Sequence, residues 1–120
     1  LKMQLFSKEL SSTDINHRLA IPTASLEAFE IPPGEHSVDV LAMDADGNVW
    51  YFLLSTRTNE THPKPVFYGD WRQFVQNKDL RVGDKVIFEM EDDLGDGVRF
   101  RIRAQKYVFR LWGENIWVDV

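Results

Sequence analysis

At 120 residues the chain has the length of one domain, and its 43% hydrophobic content, with eight Phe, four Trp and three Tyr, is enough for a packed core and excludes a disordered segment. The absence of Cys excludes a disulfide scaffold, a thiolate zinc site and a cysteine nucleophile, and fits a reducing compartment; no apolar run nears the roughly 18 residues of a membrane span, and no signal-peptide pattern opens the chain. Fourteen Lys and Arg against 19 Asp and Glu give a net charge of −5, which argues against a uniformly basic nucleic-acid binder. Five of the acids (Glu89, Glu91, Asp92, Asp93 and Asp96) fall in one short run, so the rest of the chain balances and a locally basic face remains compatible. The first residue is Leu rather than Met, as expected of a piece of something longer.

Residues 3–10 carry a short apolar run and predict a first strand, which Ser11, Ser12, Thr13 and Asp14 break as turn formers. A short strand over 18–21 ends at Pro22, which has no amide hydrogen. Leu26 and Phe29 are three apart, which predicts a one-sided helix over 23–29 with Thr23 as its N-cap. Alternation at Val38, Val40 and Ala42 predicts a half-buried strand, and the Asp-Ala-Asp-Gly-Asn sequence at 44–48 a hairpin turn into a return strand over 49–54. A polar loop over 55–65 leads to a short apolar stretch, 66–68. Asp70, with Gln73 three residues on, predicts a capped helix whose stripe is Trp71, Phe74 and Val75. Segments 85–90 and 98–103 form a hairpin around an Asp- and Gly-rich turn, and 107–120 is one more strand-like stretch. About seven strands and two short helices predict a mainly β protein, a seven-stranded, partly open barrel with helices at its ends, as a single domain over 1–120.

Several of these stretches, taken in order, resemble the plant B3 DNA-binding domain. They are Phe6 with Lys8-Glu9-Leu10; Ser12 to Asp14; Arg18-Leu19-Ala20-Ile21-Pro22; Asp46-Gly47-Asn48-Val49-Trp50; Gly69-Asp70-Trp71-Arg72-Gln73-Phe74-Val75; and Leu80-Arg81-Val82-Gly83-Asp84-Lys85-Val86-Ile87-Phe88. The resemblance covers roughly residues 4–104, with 105–120 as a C-terminal strand extension. It implies a seven-stranded open barrel with two helices, and double-stranded DNA as the partner, gripped by two arms in the major groove. The first arm is 11–18, short as in the reproductive-meristem branch of the family; the second is 57–65. On these arms the resemblance implies phosphate contacts by Lys8, Arg18, Arg57 and Lys64, and contacts to base edges by Asn16, His17, Asn59, Thr61 and His62. The residue chemistry suits this: Lys and Arg neutralise phosphate, and Asn can pair bidentately with adenine.

The remaining motifs have plainer readings. Arg99, Arg101 and Arg103 share one face of a strand, and a register placing Glu91 opposite Arg99 and Glu89 opposite Arg101 makes them an ion-pair face rather than a phosphate stripe. The Asp- and Gly-rich turns lack calcium-loop spacing, and His17, His36 and His62 lack metal-ligand spacing, so no metal or cofactor is expected. No nucleophile elbow or phosphate-binding glycine loop occurs, so no enzyme is expected. Trp50, Trp71 and Phe88 read as core anchors.

The leading expectation is therefore a DNA-binding module of a plant transcriptional regulator in the nucleus, acting with other regulatory proteins and without membrane or small-molecule partners. The alternative is a B3-like barrel with weak or no DNA binding that serves protein interaction. It is motivated by Glu9, Asp14, Glu60 and Asp70 beside the arms and by the apolar Phe109, Leu111, Trp112, Ile116, Trp117 and Val118. A third class, the recognition part of a nuclease, lacks the carboxylate and lysine cluster that cleavage needs.

Overall fold

The computed structural model describes residues 2–57, 62–92, 94–95 and 97–120. Its strands are β1 (Lys2–Glu9), β2 (Leu19–Ala20), β3 (Ser37–Met43), β4 (Val49–Ser55), β5 (Val66–Gly69), β6 (Lys85–Glu91), β7 (Phe100–Leu111) and β8 (Glu114–Asp119). Helix α1 (Ser12–Asn16) follows β1, a 3-10 helix (Thr23–Phe29) follows β2, and α2 (Trp71–Asn77) follows β5. Seven strands run in the order β1-β6-β7-β3-β4-β5-β2, antiparallel except where β3 meets β7, and β8 pairs with β7 off this path. The path is the curled, partly open barrel expected from the sequence.

The alternation in each strand decides which face turns inward. Val40 and Ala42 of β3, Phe52 and Leu54 of β4, Val86 and Phe88 of β6, and Ile102 and Ala104 of β7 are buried. At the centre Phe88 lies within 5.3–6.4 Å, ring to ring, of Phe6, Phe29, Phe52, Phe67 and Phe100. Such pairs add roughly 0.5–1.5 kcal/mol each beyond the area they bury. On the outer face Glu89 stands opposite Arg101 in the expected register. The charges meet diagonally, Arg101 Nε to Glu91 at 2.9 Å and Arg103 Nε to Glu89 at 3.1 Å. The arginine stripe is thus a paired face.

Local structure differs from the sequence reading in four places. Residues 11–14 do not merely break β1. Ser11 caps α1 in a full capping box, its hydroxyl accepting from the Asp14 amide while the Asp14 carboxylate accepts from the Ser11 amide. Thr23 is not a cap; the cap position is Pro22, and no side chain closes that end. Asp70 precedes α2 as expected, but its carboxylate accepts the Tyr51 amide of β4 rather than an amide of its own helix. The tail is a hairpin rather than one strand: β7 runs on to Leu111, turns at Trp112 and Gly113, and returns as β8.

Candidate nucleic-acid interface

The first arm is held by its own acid. Asp14 is only 1% exposed. One carboxylate oxygen accepts from Lys8 Nζ at 2.9 Å and from the Ala20 amide at 3.2 Å, and the other accepts from the Ser11 amide. Burial pushes the Asp14 carboxyl up, but the Ser11 amide, Lys8 and the Ala20 amide outweigh it and hold the group below the usual aspartate range. Of the acids expected beside the DNA face, Asp14 is therefore consumed inside the arm. Trp71 completes the anchor from α2, its buried indole N–H donating to the Asp14 carbonyl at 2.7 Å.

The second arm is closed at its root. The Thr56 amide donates to the His36 carbonyl at 2.8 Å, and the Arg57 amide to the Pro63 carbonyl at 2.8 Å. The Ile21 amide donates to the Pro65 carbonyl at 3.0 Å and ties this arm to the strand that leaves the first. Lys64 holds a left-handed backbone, φ 43°, a conformation that is uncommon for a residue with a Cβ. Below the arms, Gly69 turns the chain from β5 into α2 at φ 74°, where a Cβ would lie 2.7 Å from the Tyr51 carbonyl oxygen.

Between the arms lies a groove of about 500 Å³. Thr13 and Arg18 of the first arm, Arg57 and Lys64 of the second, and Thr23 and Tyr68 from the neighbouring elements all line it. No Asp or Glu is among the described residues of its lining. A chain of net charge −5 therefore presents a concave face carrying three cations. Acids elsewhere are drawn into pairs: Asp44 and Asp46 hold Lys78, Asp84 holds Lys106, and Glu89 and Glu91 hold the β7 arginines.

Of the expected contact residues, Arg18, Arg57 and Lys64 meet in this groove. Lys8 does not line it; it bridges the Asp14 carboxylate and the Ala20 carbonyl, using two of its three donors inside the protein. Asn16 and His17 are exposed at the end of α1, the Asn16 amide donating to the Ser12 hydroxyl at 3.2 Å. His62 is exposed on the second arm, while Asn59 and Thr61 lie outside the described residues. The sequence reading missed Thr56, Tyr68 and Thr23 as groove-lining side chains. No local pattern marks them; they become neighbours only because β2, β4 and β5 are adjacent in the sheet.

Residues 6–106 match the family model described as the B3 DNA binding domain. The chain belongs to the B3 DNA-binding domain family. An AP2/ERF and B3 domain-containing protein of rice, Oryza sativa subsp. japonica, is 33% identical over 95 residues, 70% of this chain and 29% of that protein. The AP2/ERF and B3 domain-containing transcription factor RAV1 of Arabidopsis thaliana is 31% identical over 126 aligned positions, 93% of this chain and 36% of RAV1. This B3 chain thus spans about a third of the length of these curated relatives. The B3 fold is also that of the Arabidopsis FUS3–DNA complex, TM-score 0.71 at 26% identity, covering 86% of this chain and 97% of the other. The Arabidopsis thaliana LEC2–DNA complex has the same fold, TM-score 0.70 at 18% identity over 87% of this chain and 94% of the other.

Proposed function

We propose that this B3 domain binds duplex DNA by seating arms 11–18 and 57–65 in the major groove, as the DNA-reading part of a plant transcriptional regulator in the nucleus. The observation that carries the proposal is the groove between the arms: Arg18, Arg57 and Lys64 share it, and no acid joins them among its described lining residues. Three cations on a concave face can follow a phosphate backbone and release its counterions, whatever the net charge of the whole chain. Lys8 has a third donor to offer phosphate beyond its two internal bonds. Asn16, His17, Asn59, Thr61 and His62 are the candidates for base edges, and Thr56 and Tyr68 add hydroxyls beside the phosphates.

The likeness to the FUS3–DNA complex, at 26% identity over most of both chains, supports DNA as the partner. The likeness to RAV1, a transcription factor, supports a regulatory role in the nucleus. Family membership supports a binding module rather than an enzyme.

The test is a salt titration of binding to a labelled random-sequence duplex, read by fluorescence anisotropy. Affinity is expected to fall steeply as salt rises, with a log–log slope near −0.9 for each phosphate neutralised. Lys64→Ala, Arg57→Ala and Arg18→Ala are each expected to flatten that slope by about one. A salt-independent affinity, or three variants that bind like the parent, would overturn the mechanism.

A further inference from the structure

The first arm carries an acid close to where DNA phosphates are expected. Asp14 is 1% exposed and lies behind the groove wall: Thr13, Arg18 and Ala20 line the groove, and Asp14 does not. Like charges brought together cost affinity, so an acid kept at this place works against phosphate binding unless it does something else for the site.

Its carboxylate gathers three donors. One oxygen accepts from Lys8 Nζ at 2.9 Å and from the Ala20 amide at 3.2 Å, and the other accepts from the Ser11 amide at 2.9 Å. Lys8 Nζ also donates to the Ala20 carbonyl at 2.6 Å. Strand β2 is the last of the sheet and pairs on one side with β5. Ala20 still has an amide and a carbonyl to offer, and Asp14 and Lys8 take them in place of a further strand. The side chains of residues 8 and 14 thus clasp the chain where it leaves the arm.

Between the two ends of the clasp the backbone has little freedom. The Thr13 carbonyl accepts from the His17 amide at 3.0 Å and from the Arg18 amide at 3.3 Å. Leu19 is fully buried and paired with Phe67, and the Trp71 indole holds the Asp14 carbonyl at 2.7 Å. Arg18 is therefore fixed between a bonded turn and a buried neighbour, and it lines the groove. No side chain among the described residues holds its guanidinium, so the backbone that carries it sets its direction.

We propose that Asp14 is a positioning residue for DNA binding, its carboxylate holding residues 14–20 in the arrangement that points Arg18 at the phosphates. This role rests on the reading of the groove as the DNA site. The two things an acid can do here predict opposite signs. A carboxylate that merely repelled DNA would, on removal, tighten binding and release Lys8 to contact phosphate as well. A carboxylate that aims Arg18 preorganises the site, and its removal weakens binding even though the chain becomes less acidic. Asp14→Asn separates the two. Asn has nearly the same size but one acceptor oxygen and one amide donor, so either the Ser11 amide or the Lys8 and Ala20 donors would face an NH2 group.

The test is fluorescence anisotropy on a labelled random-sequence duplex over a series of salt concentrations, corrected to the folded fraction. It compares the parent, Asp14→Asn, Arg18→Ala and the double variant. Asp14→Asn is expected to weaken binding roughly tenfold and to flatten the salt slope by about one. In its background Arg18→Ala should cost less than about twofold, because the cation is already misdirected. Lys64→Ala, on the other arm, should cost the same with either residue at 14. A purely structural Asp14 would change the folded fraction and leave the slope and the cycle alone. Where Asp14→Asn fails to fold, Lys8→Met opens the clasp from its other member and should likewise shrink the cost of Arg18→Ala. Binding by Asp14→Asn as tight as the parent's or tighter, or losses that add in the cycle, overturns the proposal. Arg18→Ala binding like the parent would instead overturn the groove reading itself, and the positioning role with it.

Discussion

The groove between the arms gathers its cations from segments far apart in the chain, while the C-terminal ribbon takes all its apolar side chains from one hairpin. Arg18, Arg57 and Lys64 stand together because β2, β4 and β5 are neighbours and because buried polar bonds fix the arm roots. The ribbon is set by β7–β8 pairing and by a few contacts at its base. Trp117 donates to the Gly83 carbonyl at 2.8 Å and lies under Lys85, and Lys106 reaches the Asp79 carbonyl. One surface is polar, concave and fixed by the core; the other is apolar, projecting and nearly independent of it. Changes in the core should therefore disturb the groove and spare the ribbon, and changes in the ribbon should do the reverse.

The largest effect is expected at Trp71. Trp71→Ala empties a buried site and removes the donor to the Asp14 carbonyl, and should destabilise the fold by about 3–5 kcal/mol in a denaturant titration. Trp71→Phe keeps a ring but loses the bond, which should lower stability by about 1 kcal/mol. Hydrogen exchange should quicken at 11–18 and not at 107–118. Equal quickening in both would show that the ribbon depends on the core after all.

Gly69→Ala should lose about 2 kcal/mol, from a left-handed backbone and a Cβ 2.7 Å from the Tyr51 carbonyl oxygen. Thermal melts at fixed pH would read it. The DNA salt slope measured on the folded fraction should drop, because the groove wall at Tyr68 shifts, while hydrogen exchange in the β7–β8 ribbon should not change.

Acid reaches both regions without changing the sequence, because Asp14 anchors the first arm and Asp84 holds the Tyr107 amide and Lys106 at the base of the ribbon. Asp14, Asp44 and Asp84 are each pushed up by burial and held down more strongly by hydrogen bonds, so that all three lie below the usual aspartate range. Their folded-state values are lowered, so the stability they contribute is present above the unfolded value near 3.8 and is lost as pH falls through the folded values. Denaturant midpoints should be flat from pH 7 to about 5 and fall below about 4. A decline beginning near neutrality would place the linkage in other groups.

The smallest expected effect is at the ribbon tip. Trp112→Gly relieves a left-handed φ of 47° and removes no buried contact, so stability should change by less than about 1 kcal/mol, in the direction of a gain. Affinity of the monomer for duplex DNA should be unchanged in anisotropy. A clear loss of DNA affinity would merge the two surfaces into one.

Much of the barrel was legible in the residues. Alternation at Val38, Val40 and Ala42, the Asp-Gly turn at 46–47 and the apolar stripe of Trp71, Phe74 and Val75 each act locally, over two to five residues, and the structure keeps them. The ordered B3 motifs also pointed to the family that the match over 6–106 establishes. The roles of single polar residues were less readable. Asp14 reads as a surface acid and is a buried arm anchor; Asp70 reads as a helix cap and serves a neighbouring strand. A short polar side chain takes whichever donor the fold brings to it, and sequence spacing ranks only the near ones.

The set of elements, their inward faces and the family are written in the residues, because they depend on short-range periodicity and on motifs in order. Only the three-dimensional fold brings three distant cations into one groove with no acid among its described lining residues, in a chain of net charge −5, and turns the tail back on itself as a ribbon. Charge and burial at a surface depend on which strands lie side by side, and strand order comes from long-range pairing that no local stretch of residues encodes.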